Sequence, residues 1–235
     1  MKLFSSIKIA IIAATTIGFS ALPGLAQEAT SFSDIEGNVY ETEIGKGSEM
    51  GVVKGFPDGT FRPDEMVSRE QAIVMIVQAI NSIVPIDLES KPPQRSNIQP
   101  FSDVSDDRWS AAFINWMQWN LYPANVAQLT GNFRPKDPIT RLELVEFLKR
   151  TGELVSLKLT GSPELDETEE PIKFTDVVGY NEVLTSQMSA FCRVASPLNE
   201  EGDAFAPDAK ATRDYAVAAI VRAVTCESDE QSASQ

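Results

Sequence analysis

Residues 55–71 read GFPDGTFRPDEMVSREQ, a glycine-rich turn, a proline and a helix start in one short run. Two later stretches echo it: FRPKDPITRLE at 133–143 and FAPDAKATRDY at 205–215. In each, Phe-x-Pro is followed by four residues, a Ser or Thr, and an Arg, and Phe61, Phe133 and Phe205 stand 72 residues apart both times. Such spacing is the mark of a repeated structural unit, and it governs how the rest of the chain is read.

A second echo precedes each of these segments. FSDIEGNVY (32–40), FSDVSDDRW (101–109) and FTDVVGYNE (174–182) all open with Phe-Ser/Thr-Asp-Val/Ile. Eight residues past the Phe stand Tyr40, Trp109 and Glu182. The repetition divides the chain into a leader (1–26), unit one (27–86), a linker (87–100), unit two (101–160), an acidic linker (161–173), unit three (174–227) and a tail (228–235). Both linkers are Pro-containing, polar and aperiodic, as in IDLESKPPQRSNIQP (86–100) and TGSPELDETEEP (160–171).

The second half of each unit reads as a helix. Ser68, Thr140 and Thr212 are placed as N-caps, accepting from an otherwise unpaired backbone N–H. Gln71 and Glu143 complete a capping box in the first two units; Tyr215 does not in the third. Three, four, six and seven residues past each Arg lie Ala72, Ile73, Met75, Ile76, then Leu144, Val145, Phe147, Leu148, then Ala216, Val217, Ala219, Ile220. All twelve are apolar, at the spacing of one broad helical face. The first halves read as shorter helices, with stripes at Trp109, Phe113, Trp116, Met117 and at Leu184, Met188, Phe191. Gly45, Gly47 and Gly51 weaken the counterpart in unit one by about 1 kcal/mol each. A unit of this length is marginal alone, whereas three that pool their long helices can bury one core. The expected fold is all-α: three helical hairpins in a pseudo-threefold bundle with lateral grooves.

Bulk composition narrows the function. Lys2 and Lys8, the apolar run IAIIAATTIGFSAL (9–22), then Pro23, Gly24 and Ala26 have the form of a secretory signal cleaved after Ala26. The run is too short to span a bilayer with tilt to spare, and no second stretch approaches that length, so no membrane insertion is expected after cleavage; an uncleaved anchor is the other reading. The leader removes two of 20 basic residues and none of 34 acidic ones, taking the net charge from −14 to −16. Nucleic acid is a poor partner for such a surface, and an anionic ligand requires cations that converge locally. There is no histidine, which removes imidazole acid–base chemistry and the commonest metal ligand. In an oxidising compartment Cys192 and Cys226 can close a loop of about 34 residues, stabilising it by roughly 3–4 kcal/mol; two free buried thiols is the other reading.

Taken together, the openers, the Asp-Gly-x-Phe-x-Pro turn of unit one and the ITRLE helix start of unit two resemble S-layer homology motifs, and the resemblance runs from Phe32 to about Cys226. It implies an exported bacterial envelope protein, in the periplasm or at the wall and cell surface. It also implies non-covalent attachment to cell-wall polysaccharide, often bearing pyruvate ketals, or to peptidoglycan. The family's groove residues fall here on Arg69, Arg141 and Arg213, on Asp34, Asp103 and Asp176, and on Tyr40 and Trp109. Unit one's turn, with Gly55, Asp58 and Gly59, adds to them.

The arginines support that reading on physical grounds. Each follows an N-cap, beside unpaired N–H groups and the positive end of a helix dipole, and a guanidinium fork grips a carboxylate through two charge-assisted bonds. The alternative is that they pair with the opener aspartates and hold the bundle together. Likewise Tyr40 and Trp109 either stack on a sugar or fill the core, and Asp58-Gly59 also reads as a plain turn. Unit two keeps Gly131 but loses the turn Asp, and unit three has Glu182 in place of the aromatic. At most two grooves are therefore expected to bind well, those involving unit one's turn first.

Other classes fit less well. No Gly-x-Ser-x-Gly signature occurs and no carboxylate pair sits on a recurring pattern, so the chain is not expected to be an enzyme. With Gly59 at the sixth place of a calcium loop, Lys54 and Phe56 would hold the first and third, which are wrong for a cation. No metal or other cofactor is expected, and the acidic run at 164–170 reads as a solvated face. The rival reading is a degenerate triplet that scaffolds another envelope protein.

Overall fold

A computed structural model describes residues 32–88, 101–121 and 131–233, with side chains to Cys226. The leader, most of the 87–100 linker and the end of the tail lie outside it. The described residues form six α-helices and no sheet, an all-α fold. The helices are α1 (Glu41–Glu49), α2 (Arg69–Ile83), α3 (Ala111–Asn120), α4 (Arg141–Thr160), α5 (Tyr180–Ala190) and α6 (Arg213–Ala233).

The long helices begin where their caps dictate. Ser68 and Thr140 each accept from the backbone N–H three residues on, while Gln71 and Glu143 reach back to the cap N–H, completing both capping boxes. At the start of α6 the Asp214 carboxylate takes the Tyr215 N–H instead, at 2.7 Å. α4 stops at Gly161, which adopts the left-handed conformation. All twelve apolar positions counted from the arginines are buried. α2, α4 and α6 pack against one another, and from Tyr215 to Val224 every residue of α6 but Arg222 is buried. A helix apolar all round belongs at the centre.

The expected hairpins are corrected in one respect. α3 packs on α2 and α5 on α4, each on the long helix of the unit before it, while α1 packs on α6 of unit three. The turn ahead of each long helix is pinned to the opener of its own unit. Gly47 shows what the first of these contacts needs. A Cβ there would lie 2.8 Å from Val217 Cγ1 and 3.3 Å from Val221 Cγ2, so the glycine that lowers helix propensity lets α1 settle onto α6.

The segments entering the long helices are tied in a closed ring. Val67 N–H donates to the Ala211 carbonyl, Ala211 N–H to Ile139, and Ile139 N–H to Val67, at 2.9–3.1 Å. Next to it, the N–H groups of Arg69 and Glu70 donate to the carbonyls of Asp137 and Pro135. Those of Arg141 and Leu142 donate to Ala209 and Pro207, and those of Arg213 and Asp214 to Glu65 and Pro63. The first N–H groups of each long helix are thus satisfied by the preceding loop of another unit rather than by water. Farther out, a disulfide joins Cys192, after α5, to Cys226 in α6, with Cα atoms 5.8 Å apart.

Candidate functional site

The opener aspartates are clamps. Asp34 accepts from the N–H groups of Phe61 and Arg62, Asp103 from those of Phe133 and Arg134, and Asp176 from those of Phe205 and Ala206, all at 2.6–2.8 Å. The second residue of each pair is left-handed, with φ of 60°, 60° and 56°. A non-glycine residue in that region costs roughly 1–2 kcal/mol, which two charge-assisted hydrogen bonds offset. The opener Phe meanwhile packs on the turn Phe of its own unit, ring centres 5.3–5.4 Å apart. Both oxygens of each carboxylate are engaged with backbone, so the aspartates do not pair with the helix-start arginines.

Those arginines reach into the next unit, and the first two are sealed there. Arg69 Nε donates to the Phe133 carbonyl at 2.8 Å, with its guanidinium over the Phe133 and Phe147 rings. Its Nη1 lies 2.8 Å from Glu143, which also holds Arg134 and caps α4. Burial lowers the Arg69 pKa, and Glu143 opposes that. Arg141 Nε donates to the Phe205 carbonyl and Nη2 to that of Ser196, both at 2.7 Å, and its guanidinium lies 3.6 Å from the centre of the Tyr215 ring. Arg69 and Arg141 are both buried, so neither faces a groove.

Arg213 breaks the pattern. Its Nη2 donates to the Lys54 carbonyl at 2.8 Å rather than bonding the Phe of the turn. Its Nε is buried without a hydrogen-bond partner, and among the described residues no carboxylate lies within ion-pair distance of it. Burial pushes its pKa down; Glu65 opposes this and Arg62 adds to it. The guanidinium stands 5.3 Å from the centre of the Phe56 ring and 4.8 Å from that of Phe61, while Arg62 stacks on Phe56 at 3.7 Å. Two guanidinium groups therefore share one half-buried aromatic ring, with the exposed Lys54 two residues before it in sequence. This junction between the start of α6 and residues 54–62 is where cations converge on an acidic chain.

The remaining candidates divide. At Gly55 a Cβ would fall 2.4 Å from Phe32 Cε1, so glycine lets the turn close on the opener. Gly59 has a φ of +81° and its carbonyl accepts from Ser33 N–H. Asp58 is exposed and accepts from the Thr60 hydroxyl and N–H and from Arg62, which together hold its carboxyl down to about 2. Trp109 stands before α3 rather than on its stripe and is 59% exposed. Tyr40 corrects the sugar-stacking expectation: at 3% exposure it is sealed edge-on against Tyr215. Burial first, then Glu200, raises its phenol pKa. Glu182 is half-buried on the outer side of α5.

Sequence reasoning missed Lys54, Phe56 and Arg62 as members of the junction, and Glu143 as the residue that silences Arg69. It also missed Glu70, which accepts two hydrogen bonds from Arg108 and one from Ser110 at 2.6–2.8 Å. Glu70 and Asp214 stand 144 residues apart, twice the repeat, and Asp214 likewise accepts from Asn38, in the turns ahead of α1, at 2.9 Å. A comparison of units at those positions would have found both.

No described helix is long and apolar enough to cross a membrane, and no described cluster of three carboxylates or cysteines is placed to hold a metal. Comparison with known proteins agrees with the geometry of unit one. Relatives include cell surface glycoprotein 1 of Acetivibrio thermocellus, 27% identical over 172 residues, taking in 72% of this chain and 7% of that protein. S-layer protein sap of Bacillus anthracis is 33% identical over 116 residues, 49% of this chain and 12% of that protein. The cellulosome-anchoring protein of A. thermocellus is 28% identical over 115 residues, 47% and 24% respectively. The chain spans less than a quarter of each. Residues 31–73, which take in the first opener, α1, the 54–62 turn and the start of α2, match the family model for the S-layer homology domain.

Proposed function

We propose that this is a non-catalytic cell-envelope protein that holds cell-wall polysaccharide or peptidoglycan non-covalently at the cell surface. An acidic substituent of the polymer, such as a pyruvate ketal, would be gripped at the Arg213 junction. One observation carries the reading: Arg213 has no carboxylate partner among the described residues and, unlike Arg141, whose guanidinium is buried and held by two carbonyls, it leaves a buried Nε without an acceptor and has a second guanidinium beside it. A carboxylate docking there would supply the missing acceptor and relieve the repulsion between Arg213 and Arg62. The Phe56 ring offers an apolar surface beside it, and the Lys54 carbonyl holds the guanidinium in place.

The wider organisation is part of the proposal. Units one, two and three (27–86, 101–160 and 174–227) are repeats around a common axis, with 1–26 removed on export and 87–100 and 161–173 as linkers. The recurring aspartate clamp and the ring through Val67, Ile139 and Ala211 support this. Of the three junctions, those holding Arg69 and Arg141 are structural.

The test is co-sedimentation of the mature protein with bacterial wall sacculi, before and after chemical removal of the wall polysaccharide or its pyruvyl groups. Retention should fall on stripping, and Arg213→Ala should reduce it about tenfold, the loss of one charge-assisted contact. A folded Arg213→Ala protein retained like the parent, or retention indifferent to stripping, overturns the assignment.

A further inference from the structure

Four, six and nine residues past the opener Phe, unit one carries Glu36, Asn38 and Glu41, and unit two Ser105, Asp107 and Ser110. In unit three the same positions are Val178, Tyr180 and Val183. Three of the polar residues make bonds: Asn38 donates to Asp214, Ser110 donates to Glu70, and Glu41 accepts from Gly37 N–H. Their apolar counterparts are 80%, 65% and 66% exposed. The change is matched on the helix start before it, where Leu142 stands in place of Glu70 and Asp214. The junction between the start of α4 and unit three has thus exchanged a polar tie for apolar surface. A lone exposed apolar side chain is ordinary, but three in one register, each polar in both other units, form a patch.

The patch adjoins a concavity. Val183 lines an open cavity of about 490 Å³ together with Glu167, Pro171, Glu182, Ser186 and Gln187. Residues 182, 183, 186 and 187 recur at helical spacing, so the outer face of α5 forms one wall and the acidic segment around 167–171 the other. Among the described residues no cation lies within ion-pair distance of Glu167 or Glu182, and Arg193 is engaged with Glu169 and the Glu170 carbonyl. These two acids border apolar surface without compensation.

We propose that this face of α5 docks a cationic amphipathic segment of another polypeptide, apolar side chains against Val178, Tyr180 and Val183 and Lys or Arg toward Glu167 and Glu182. Charge complementarity selects that occupant. A second copy of a chain with net charge −14 brings the wrong sign, and so does an acidic wall polymer. The surface is separate from the Arg213 junction, so this inference stands or falls apart from the glycan reading.

The probe is a fluorescent helical peptide of about 14 residues with leucine on one face and lysine on the other, read by anisotropy. The parent protein should bind it, and Val178→Ser/Tyr180→Asn/Val183→Ser, which restores the polar types of the other units, should weaken binding about tenfold or more. Tyr180→Asn alone is the second variant should the triple fold poorly, and Glu167→Gln/Glu182→Gln should weaken binding about threefold. Oligolysine of equal charge should not distinguish the parent from the triple variant, and Arg213→Ala should bind the peptide like the parent. Peptide affinity unchanged in the apolar variants overturns the proposal. So does parent dimerisation in sedimentation velocity that the triple variant abolishes, since the occupant is then a second copy. Loss of sacculus retention in the triple variant also overturns it, by assigning the patch to the wall polymer.

Discussion

Arg141 and Arg213 hold the same place in two helices 72 residues apart and live in opposite surroundings. Arg141 is buried, with two carbonyl acceptors and a tyrosine ring against its plane. Arg213 is half-buried, with one carbonyl, a buried Nε lacking a partner and a second cation across a shared phenylalanine. A motif position therefore fixes where a side chain starts, and the next unit decides whether it becomes mortar or a binding group. The difference traces to what the receiving turn presents: Phe205 and Ser196 offer carbonyls to Arg141, whereas the Gly55-Phe56-Pro57 turn offers Arg213 an aromatic face and an open side.

That contrast can be broken by substitution. The largest effect is expected from Arg141→Ala, which strands two buried carbonyls and should cost about 3 kcal/mol in urea unfolding. Gly55→Ala comes next: a Cβ against Phe32 should cost about 2 kcal/mol and, by displacing the Lys54 carbonyl, weaken sacculus retention as well. Glu70→Gln is smaller, about 1 kcal/mol at neutral pH, and sharpens the picture through its pH dependence. Burial raises the Glu70 pKa, but the bonds from Arg108 and Ser110 outweigh that and hold it below the ordinary value. Its contribution is therefore present above the unfolded value of about 4.3 and lost as pH falls through the lower folded value. Urea midpoints of the parent should drop more steeply than those of Glu70→Gln between about pH 5 and 3. The smallest change in stability, about 1 kcal/mol or less, is expected from Arg213→Ala, paired with the largest loss of polymer retention. Equal destabilisation by Arg141→Ala and Arg213→Ala would erase the distinction drawn between them.

Much of the fold could be read before the coordinates. The twelve apolar positions are buried because a helical face follows from spacing alone, and Ser68 and Thr140 cap because their side chains need only local backbone. What spacing cannot give is the partner. Nothing in the run of Gly45 and Gly47 says that α1 is to rest on α6, far along the chain, where the missing side chain becomes an advantage. Tyr40 and Trp109 share one register and differ in exposure because α1 begins just after Tyr40, whereas the chain turns once more after Trp109 before α3. The resemblance to S-layer homology motifs implies a groove role for the opener aspartates. They recur because each must hold a left-handed Phe-x-Pro turn, a backbone requirement that leaves no trace in side-chain chemistry. At the site, Arg213 was legible, whereas Phe56 and Arg62 acquire meaning only when α6 is brought against their turn.

The exchange of helices between units has a consequence for how the chain comes to be folded. The seat for α1 is α6, and the loop entering α2 is closed by a bond from Val67 to Ala211, so α1 and that loop have no permanent resting place until α6 is in position. A polypeptide emerging N-terminus first must wait, loosely collapsed, for residues beyond 213 before the ring can snap shut.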